Sequence, residues 1–229
     1  MEQYRLRFQL KSDATFGRGD GVPGVVDQEV EHDEYGLPFL RGRTLKGLLV
    51  EECTNILYAL SRINPDLANQ YEKVADQMFG DAGSRLERVT ALRVGDARLP
   101  NALRESVQQA VTNGSLTAPE VLRSLTDVRR QTAMDETGKP EPHSLRASRV
   151  ILRETVFVAP LELEFAAGAS TEEQKRAKAL LAACVKAFRR AGVNRNRGAG
   201  RLTATLQDAQ GVDKTESLFA DFKTEVMPV

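Results

Sequence analysis

Three stretches of the chain alternate apolar and polar residues, and two carry apolar residues at helical spacing. The order of these stretches constrains the fold more than any single motif. Tyr4, Leu6, Phe8 and Leu10 face one side of a half-buried strand, and Gln3, Arg5, Arg7 and Gln9 the other. After a glycine-rich loop over Lys11–Gly24, a helix is predicted from Leu45 to about Leu60. Its stripe is Leu45, Leu48, Leu49, Cys53, Ile56, Leu57 and Leu60, with Thr44 placed to cap it. A second helix is expected over Asp66–Phe79, stopped by Gly80. Val89–Leu99 reads as a short strand. Residues 101–127 read as one or two short helices broken at Asn113-Gly114, and residues 129–149 as a polar loop or hairpin. Val156–Phe165 is strand, with Leu161, Leu163 and Phe165 set against Glu162 and Glu164. Ser170 and Glu173 form a capping box for a helix over 171–191 that Gly192 ends, and Leu202, Ala204 and Leu206 mark the last strand.

Strand, helix, strands with insertions, strand, helix, strand is the order of an α+β fold. It predicts a ferredoxin-like (RRM-like) βαββαβ sheet with helices on one face. No internal repeat and no low-complexity linker divides the chain, so residues 1–229 are expected to form one domain. The main insertions fall at about 100–127 and 129–149.

Charge is the next constraint. Thirty-two Lys and Arg balance 32 Asp and Glu, which excludes a uniformly basic coat protein but not a local basic face. Residues 171–201 hold nine Lys or Arg against two Glu, a concentration typical of a phosphate-binding surface. No apolar run approaches the roughly 18–20 residues of a membrane span, and the N-terminus shows no signal-peptide core. A cytoplasmic protein is therefore expected. Cys53 and Cys184 fit no C-x-x-C pattern and read as buried, reduced thiols rather than zinc ligands.

Two loops carry the binding chemistry. In RGRTLKG, residues 41–47, Arg41, Arg43 and Lys46 crowd a helix N-terminus, where the macrodipole disfavours cations. A bound phosphate resolves that conflict; splaying of the side chains into water is the alternative. In GVNRNRGAGR, residues 192–201, Gly198 and Gly200 allow close approach of the backbone to a ligand, and Arg195, Arg197 and Arg201 supply charge. The loop is neither a Walker A nor a Rossmann fingerprint. Asp13, Asp20, Asp27 and Asp33 form a carboxylate set near the first loop. Such an Asp can orient a ribose 2′-hydroxyl or hold Mg²⁺, or simply occupy a turn. His32 and His143 both fall in loops and could act as acid or base, or be solvated.

Taken together, these pieces resemble the RAMP superfamily of CRISPR systems, and in particular the repeated backbone subunit of type III effector complexes. GVVDQEVEHDEYGLPFLRGRTLKG, residues 24–47, resembles the family's "G-x-x-D" stretch and its glycine-serine-serine-leucine-lysine-glycine element. Phe79-Gly80 and Gly95-Asp96-Ala97 resemble two further landmarks. RQTAMDETGKPEP, residues 130–142, resembles the segment leading into a hairpin "thumb", and RNRGAGR the C-terminal glycine-rich loop. Arg43 and Thr44 replace the usual serines, and Thr15 stands about where a histidine is common, departures that suggest a divergent type III subtype.

The resemblance implies a guide RNA lying along a groove shared by several subunits. Its contacts would come from Gly42, Arg43, Thr44, Lys46, Arg195, Arg197, Gly198, Gly200 and Arg201, and from Met134 and His143 of the thumb. It implies a target RNA paired to that guide, neighbouring RAMP subunits and a large subunit as partners, and no membrane. In slicing members the aspartate at the position of Asp27 cuts the target where the thumb displaces a nucleotide, acting as a base or as a ligand of a divalent metal such as Mg²⁺. Two alternatives stand beside this reading: a non-catalytic RNA-binding scaffold of the same complex, and a guide-processing endonuclease using His32.

Overall fold

The computed structural model describes residues 1–80, 90–141 and 143–227. Strand β1 (Glu2–Leu10) pairs antiparallel on one side with β5 (Val156–Leu163) and on the other with β6 (Leu202–Asp208). Strand β2 (Leu92–Val94) adds to the far edge of β5, giving the order β2-β5-β1-β6. This is the four-stranded antiparallel arrangement of a ferredoxin-like core, as the element order predicts. Period-two alternation explains why β1 is central. Leu6, Phe8 and Leu10 point to one face and are fully buried, whereas Arg5 and Arg7 point to the other and are exposed. Phe8 stacks on its cross-strand partner Phe157 at 5.3 Å and meets the edge of Phe188 at 5.7 Å.

The buried face is covered by α1 (Gly42–Ser61) and α5 (Thr171–Ala187), with α2 (Pro65–Phe79) and α6 (Thr215–Val226) packed beside them. Leu45, Leu49 and Cys53 of α1 meet the same core as Leu180, Leu181 and Cys184 of α5. Both cysteines are free and buried, as expected, and the hydrogen bond with Cys53 together with burial pushes the Cys184 thiol well up. The capping box of α5 is present, with the Ser170 hydroxyl accepting from the N–H of Glu173 at 3.2 Å.

Several boundaries differ from the sequence expectation. Helix α1 begins at Gly42, and Thr44 lies inside its first turn, making no cap. The reason is tertiary: the carboxylate of Asp96 accepts the N–H of Gly42 at 2.9 Å. Helix α5 ends at Ala187, not at Gly192, because the backbone of Phe188 turns extended and drops its ring into the core. Of the strand expected over Val89–Leu99, Leu92–Val94 forms β2, Ala97 and Arg98 make isolated bridges to Leu40 and Val158, and Val89 lies outside the described residues. Phe165 lies beyond the end of β5. Helix α6 was not expected; it is held by Phe222, whose ring meets Tyr71 at 5.2 Å.

The insertions fold as two helices and a hairpin. Helices α3 (Asn101–Thr112) and α4 (Ala118–Leu125) flank the expected break at Asn113-Gly114. Helix α4 runs directly into β3 (Thr126–Gln131), which pairs antiparallel with β4 (Arg146–Ile151). The thumb segment is therefore a true hairpin, three residues longer at its N-terminal root and two at its C-terminal root than the polar composition of 129–149 suggests. Among the described residues no helix is long and apolar enough to cross a membrane.

Candidate nucleic-acid interface

The loop after β1 returns across the root of the hairpin. Asp27 donates its N–H to the carbonyl of Ala147 at 2.8 Å, and its Oδ2 accepts the N–H of Ala147 at 2.6 Å. Gln28 forms a parallel bridge with Ser148, and its carbonyl accepts the N–H of Arg149 at 2.9 Å. Asp27 is exposed, and among the described residues its Oδ1 has no protein partner. It thus stands beside the outer end of the β3–β4 ladder, where Ala147 pairs with Arg130, with one carboxylate oxygen fixed and the other free.

Asp27 lines a cleft of about 570 Å³ together with Asp20, Arg41, Thr44, Gly192 and Arg195. The two basic loops singled out from the sequence, 150 residues apart, therefore meet here. Arg41 makes a bidentate pair with Glu31 at 2.8 and 2.9 Å. Arg195 pairs with Glu51 at 2.7 and 3.0 Å. Of the four aspartates, only Asp20 and Asp27 reach this cleft. Asp20 is held by Arg18 at 2.6 Å. Asp13 pairs with Arg129 at 2.9 Å, and Asp33 accepts the N–H groups of Tyr35 and Leu37 at 3.0 Å, closing a turn.

The residues of α1 divide by role. Arg43 and Thr44 are exposed. Lys46 turns back to β2, donating to Thr90 Oγ1 at 2.8 Å and to the carbonyl of Leu92 at 3.0 Å, and burial lowers its pKa. Gly42 is buried against the carbonyl of Val94, which a Cβ would strike.

On the other side of the 192–201 loop lies a second groove of about 910 Å³, lined by Lys11, Arg129, Arg130, Arg153, Arg197 and Gly198, with Asp13 and Glu154 as its acids. A single 3-10 turn over Arg195–Arg197, bounded by left-handed Asn194 and Gly198, sends Arg195 to the cleft and Arg197 to this groove. Gly198 has open space around it. Gly200 does not: a Cβ there would collide with the carbonyl of Ala191, so its lack of a side chain serves internal packing. Arg201 is exposed, and its N–H donates to Ser12 Oγ at 2.9 Å.

The thumb tip is an ordered turn. Asp135 Oδ1 accepts the N–H groups of Thr137 and Lys139 at 2.8 and 2.9 Å, and Met134 bridges Pro140. Met134 and Leu145 project from it, 59% and 56% exposed, and His143 is exposed with a left-handed backbone. His32 is half-buried, its Nδ1 3.0 Å from the carbonyl of Asp33, and lines neither groove.

Two residues that sequence reasoning passed over are Glu29 and Glu31, both buried and both in the cleft. Glu29 meets Arg149 at 2.7 Å. No local pattern marks them, because their partners lie elsewhere in the chain.

As a test of metal chemistry, no group of three His, Cys, Asp or Glu converges anywhere among the described residues. Glu29 and Glu31 are each engaged by an arginine. A resident metal centre held by protein side chains alone does not fit these residues. One exposed carboxylate fits only the kind of cation that takes most of its ligands from substrate and water.

A ferredoxin-like sheet carrying a hairpin beside a basic, glycine-rich loop places the molecule among RRM-like α+β proteins. The chain belongs to the RAMP superfamily, whose family model matches residues 7–203. Two solved structures share the fold at low sequence identity. The first, described as the type III-B Cmr-beta bound to cognate target RNA, matches with a TM-score of 0.59 at 12% identity, covering 95% of this chain and 99% of that one. The second, the apo state of type III-B Cmr-beta, matches with a TM-score of 0.59 at 14% identity, covering 90% and 97%. Among curated proteins no relative matches the chain by sequence.

Proposed function

We propose that this chain is a guide-RNA-binding backbone subunit of a type III CRISPR ribonucleoprotein, and that the assembled complex cleaves complementary target RNA at Asp27. The observation that carries the reading is the carboxylate of Asp27 seated on thumb strand β4, with Oδ2 tied to Ala147, Oδ1 without a protein partner among the described residues, and the residue lining the cleft. The groove holding Arg129, Arg130, Arg153 and Arg197 has the charge to follow a guide backbone. Its partners would be guide RNA, target RNA, neighbouring RAMP subunits and a large subunit.

The chemistry follows from the placement. A nucleotide unstacked by the thumb can bring its 2′-hydroxyl in line with the adjacent phosphorus. Asp27 Oδ1 takes the hydroxyl proton, the 2′-oxygen bonds to phosphorus, and the bond to the 5′-oxygen breaks, that oxygen taking a proton from water. Arg41 and Arg195 line the same cleft, and each would act on the phosphorane by exchanging its carboxylate partner, Glu31 or Glu51, for a phosphoryl oxygen. A divalent cation such as Mg²⁺ would take Asp27 as its ligand from this chain and would supply positive charge to the same phosphorane.

Asp27→Asn tests the reading in the assembled complex. Cleavage of complementary RNA is expected to fall by roughly 10²–10⁴-fold, the range for loss of a general base, with guide and target affinity unchanged. Cleavage at the normal rate would leave the subunit as a scaffold. That second reading is favoured by one observation: the other carboxylates of the cleft, Asp20, Glu29 and Glu31, are each paired with an arginine, and no group of three acids or histidines able to hold a metal ion forms among the described residues. His32 lines neither groove, so nothing in the geometry supports guide processing by it.

A further inference from the structure

Residues 27–28 lie along β4 as a short extra strand of the thumb, and everything that locates the Asp27 carboxylate comes from that seam. At its end the side chain of Glu29 turns inward and is only 3% exposed. Arg149 of β4, 13% exposed, meets it with Nε 2.7 Å from Oε1. The same carboxylate oxygen accepts the N–H of Val30 at 2.9 Å. Arg149 also donates from Nη1 to Thr126 Oγ1 on β3 at 3.4 Å, while its carbonyl accepts from Thr15 Oγ1 at 2.8 Å. One residue thus ties the Asp27 segment to both thumb strands and to the loop after β1.

Stability alone is a poor explanation for such a pair, because desolvating two charges offsets most of their attraction. What it fixes is register. A slip of one residue along β4 would turn Glu29 outward and carry Asp27 Oδ2 away from the N–H of Ala147. We propose that Arg149 and Glu29 are positioning residues: their buried pair sets the register of residues 27–29 on the thumb, so that the seating of the thumb on RNA determines where the Asp27 carboxylate points. This inference rests on the reading of Asp27 as the cutting residue.

The test uses the assembled complex and the double variant Glu29→Gln, Arg149→Met, which removes both charges and strands neither. Single-turnover cleavage of complementary RNA is expected to slow by about 10²-fold, the scale of a displaced catalytic group, while target affinity stays the same. In the full chain, the amide of Ala147 is expected to lose hydrogen-exchange protection. A purely structural pair would leave the cleavage step of the folded complex untouched. If the double variant fails to fold, Glu29→Asp keeps both charges and withdraws the carboxylate by one methylene, and the same two readouts apply. Cleavage at the wild-type rate, or an Ala147 amide as protected as before, would overturn the inference. An Asp27→Asn complex that still cuts would overturn the functional reading beneath it, and the Ala147 amide would then still report whether the pair sets the register.

Discussion

The carboxylate of Asp96 accepts the backbone N–H of Gly42 at 2.9 Å, so α1 starts on an acid brought from 54 residues further along the chain. Gly42 in turn has no Cβ because the carbonyl of Val94 occupies that space. Arg98 braces the same carboxylate at 2.8 Å. The start of α1, and with it the placement of Thr44 and Arg41 in the cleft, is therefore keyed to the edge of the sheet.

Removing that carboxylate has a pH-dependent cost. Burial alone would raise the pKa of Asp96, but the N–H of Gly42 and the nearby Arg98 and Arg41 outweigh it and hold the carboxyl below its ordinary value. An acid whose pKa is lower folded than unfolded stabilises the fold above the unfolded value, about pH 4. It loses that contribution as pH falls through the folded value. Asp96→Ala is expected to cost about 0.5–2 kcal/mol at neutral pH, as for other helix caps. The gap to wild type should close in acid. Urea unfolding at pH 7 and pH 3 checks this; an equal gap at both would place the loss in packing rather than charge.

The two glycines of the basic loop should respond differently to the same change. Both have positive φ, +92° at Gly198 and +65° at Gly200. A methyl group at Gly198 meets nothing within 4 Å, so Gly198→Ala should cost only the left-handed backbone, about 1–2 kcal/mol. At Gly200 it meets the Ala191 carbonyl and must break the bond from the Ala191 N–H to Gly200 O, 2.9 Å long. Chemical denaturation of the two variants should show Gly200→Ala as the far more damaging.

These contrasts mark where sequence reading works and where it stops. The alternation of Leu6, Phe8 and Leu10 and the capping box of Ser170 and Glu173 are local signals, and β1 lies and α5 starts where expected. The start of α1 is not local: Thr44 looks like a cap until Asp96 arrives. The end of α5 depends on Phe188 finding a slot beside Phe8, which no run of residues near Gly192 encodes. Helix α6 carries a stripe in Leu218, Phe219, Phe222 and Val226, but it lies outside the βαββαβ order that the alternating strands define. At the site, Asp27 is marked in the sequence only by the resemblance of residues 24–47, and the arginines by the local excess of charge; the structure brings Asp27, Arg41 and Arg195 to one cleft. Glu29 is not marked, because an acid is buried only when its partner arrives, and Arg149 is 120 residues away.

Binding of guide RNA should separate the cations by what they already hold. Arg197 lines the basic groove and no ion pair claims it among the described residues. Arg197→Ala is expected to weaken binding equally across sequences and to reduce the slope of log affinity against log salt by about 0.7–1. Lys46 is tied to the carbonyl of Leu92 and to Thr90. Lys46→Ala should therefore lower stability and leave the salt slope alone. Fluorescence anisotropy over a salt series distinguishes these outcomes, and a slope changed by Lys46→Ala would mean that its ammonium leaves β2 when RNA is present.

At the thumb tip, order and apolar surface are independent of one another. Asp135 builds the turn by accepting from Thr137 and Lys139, and those hydrogen bonds hold its carboxyl below the ordinary value. Met134 and Leu145 contribute little to it, being more than half exposed. The double variant Met134→Ser, Leu145→Ser should thus change stability by no more than about 0.5 kcal/mol, as for ordinary surface positions. If the chain binds RNA as proposed, the same two side chains would be the apolar surface that meets stacked bases. In the assembled complex this variant is expected to bind guide normally but to cut target more slowly, because nothing then unstacks the nucleotide beside Asp27. Thermolysin offers a direct measure of burial, since it cleaves before exposed apolar residues: cutting at Met134 and Leu145 should be fast in the free chain and slow once RNA is bound. Equal rates in both states would show that the tip stays in solvent, and the kink at Asp27 would then need another cause.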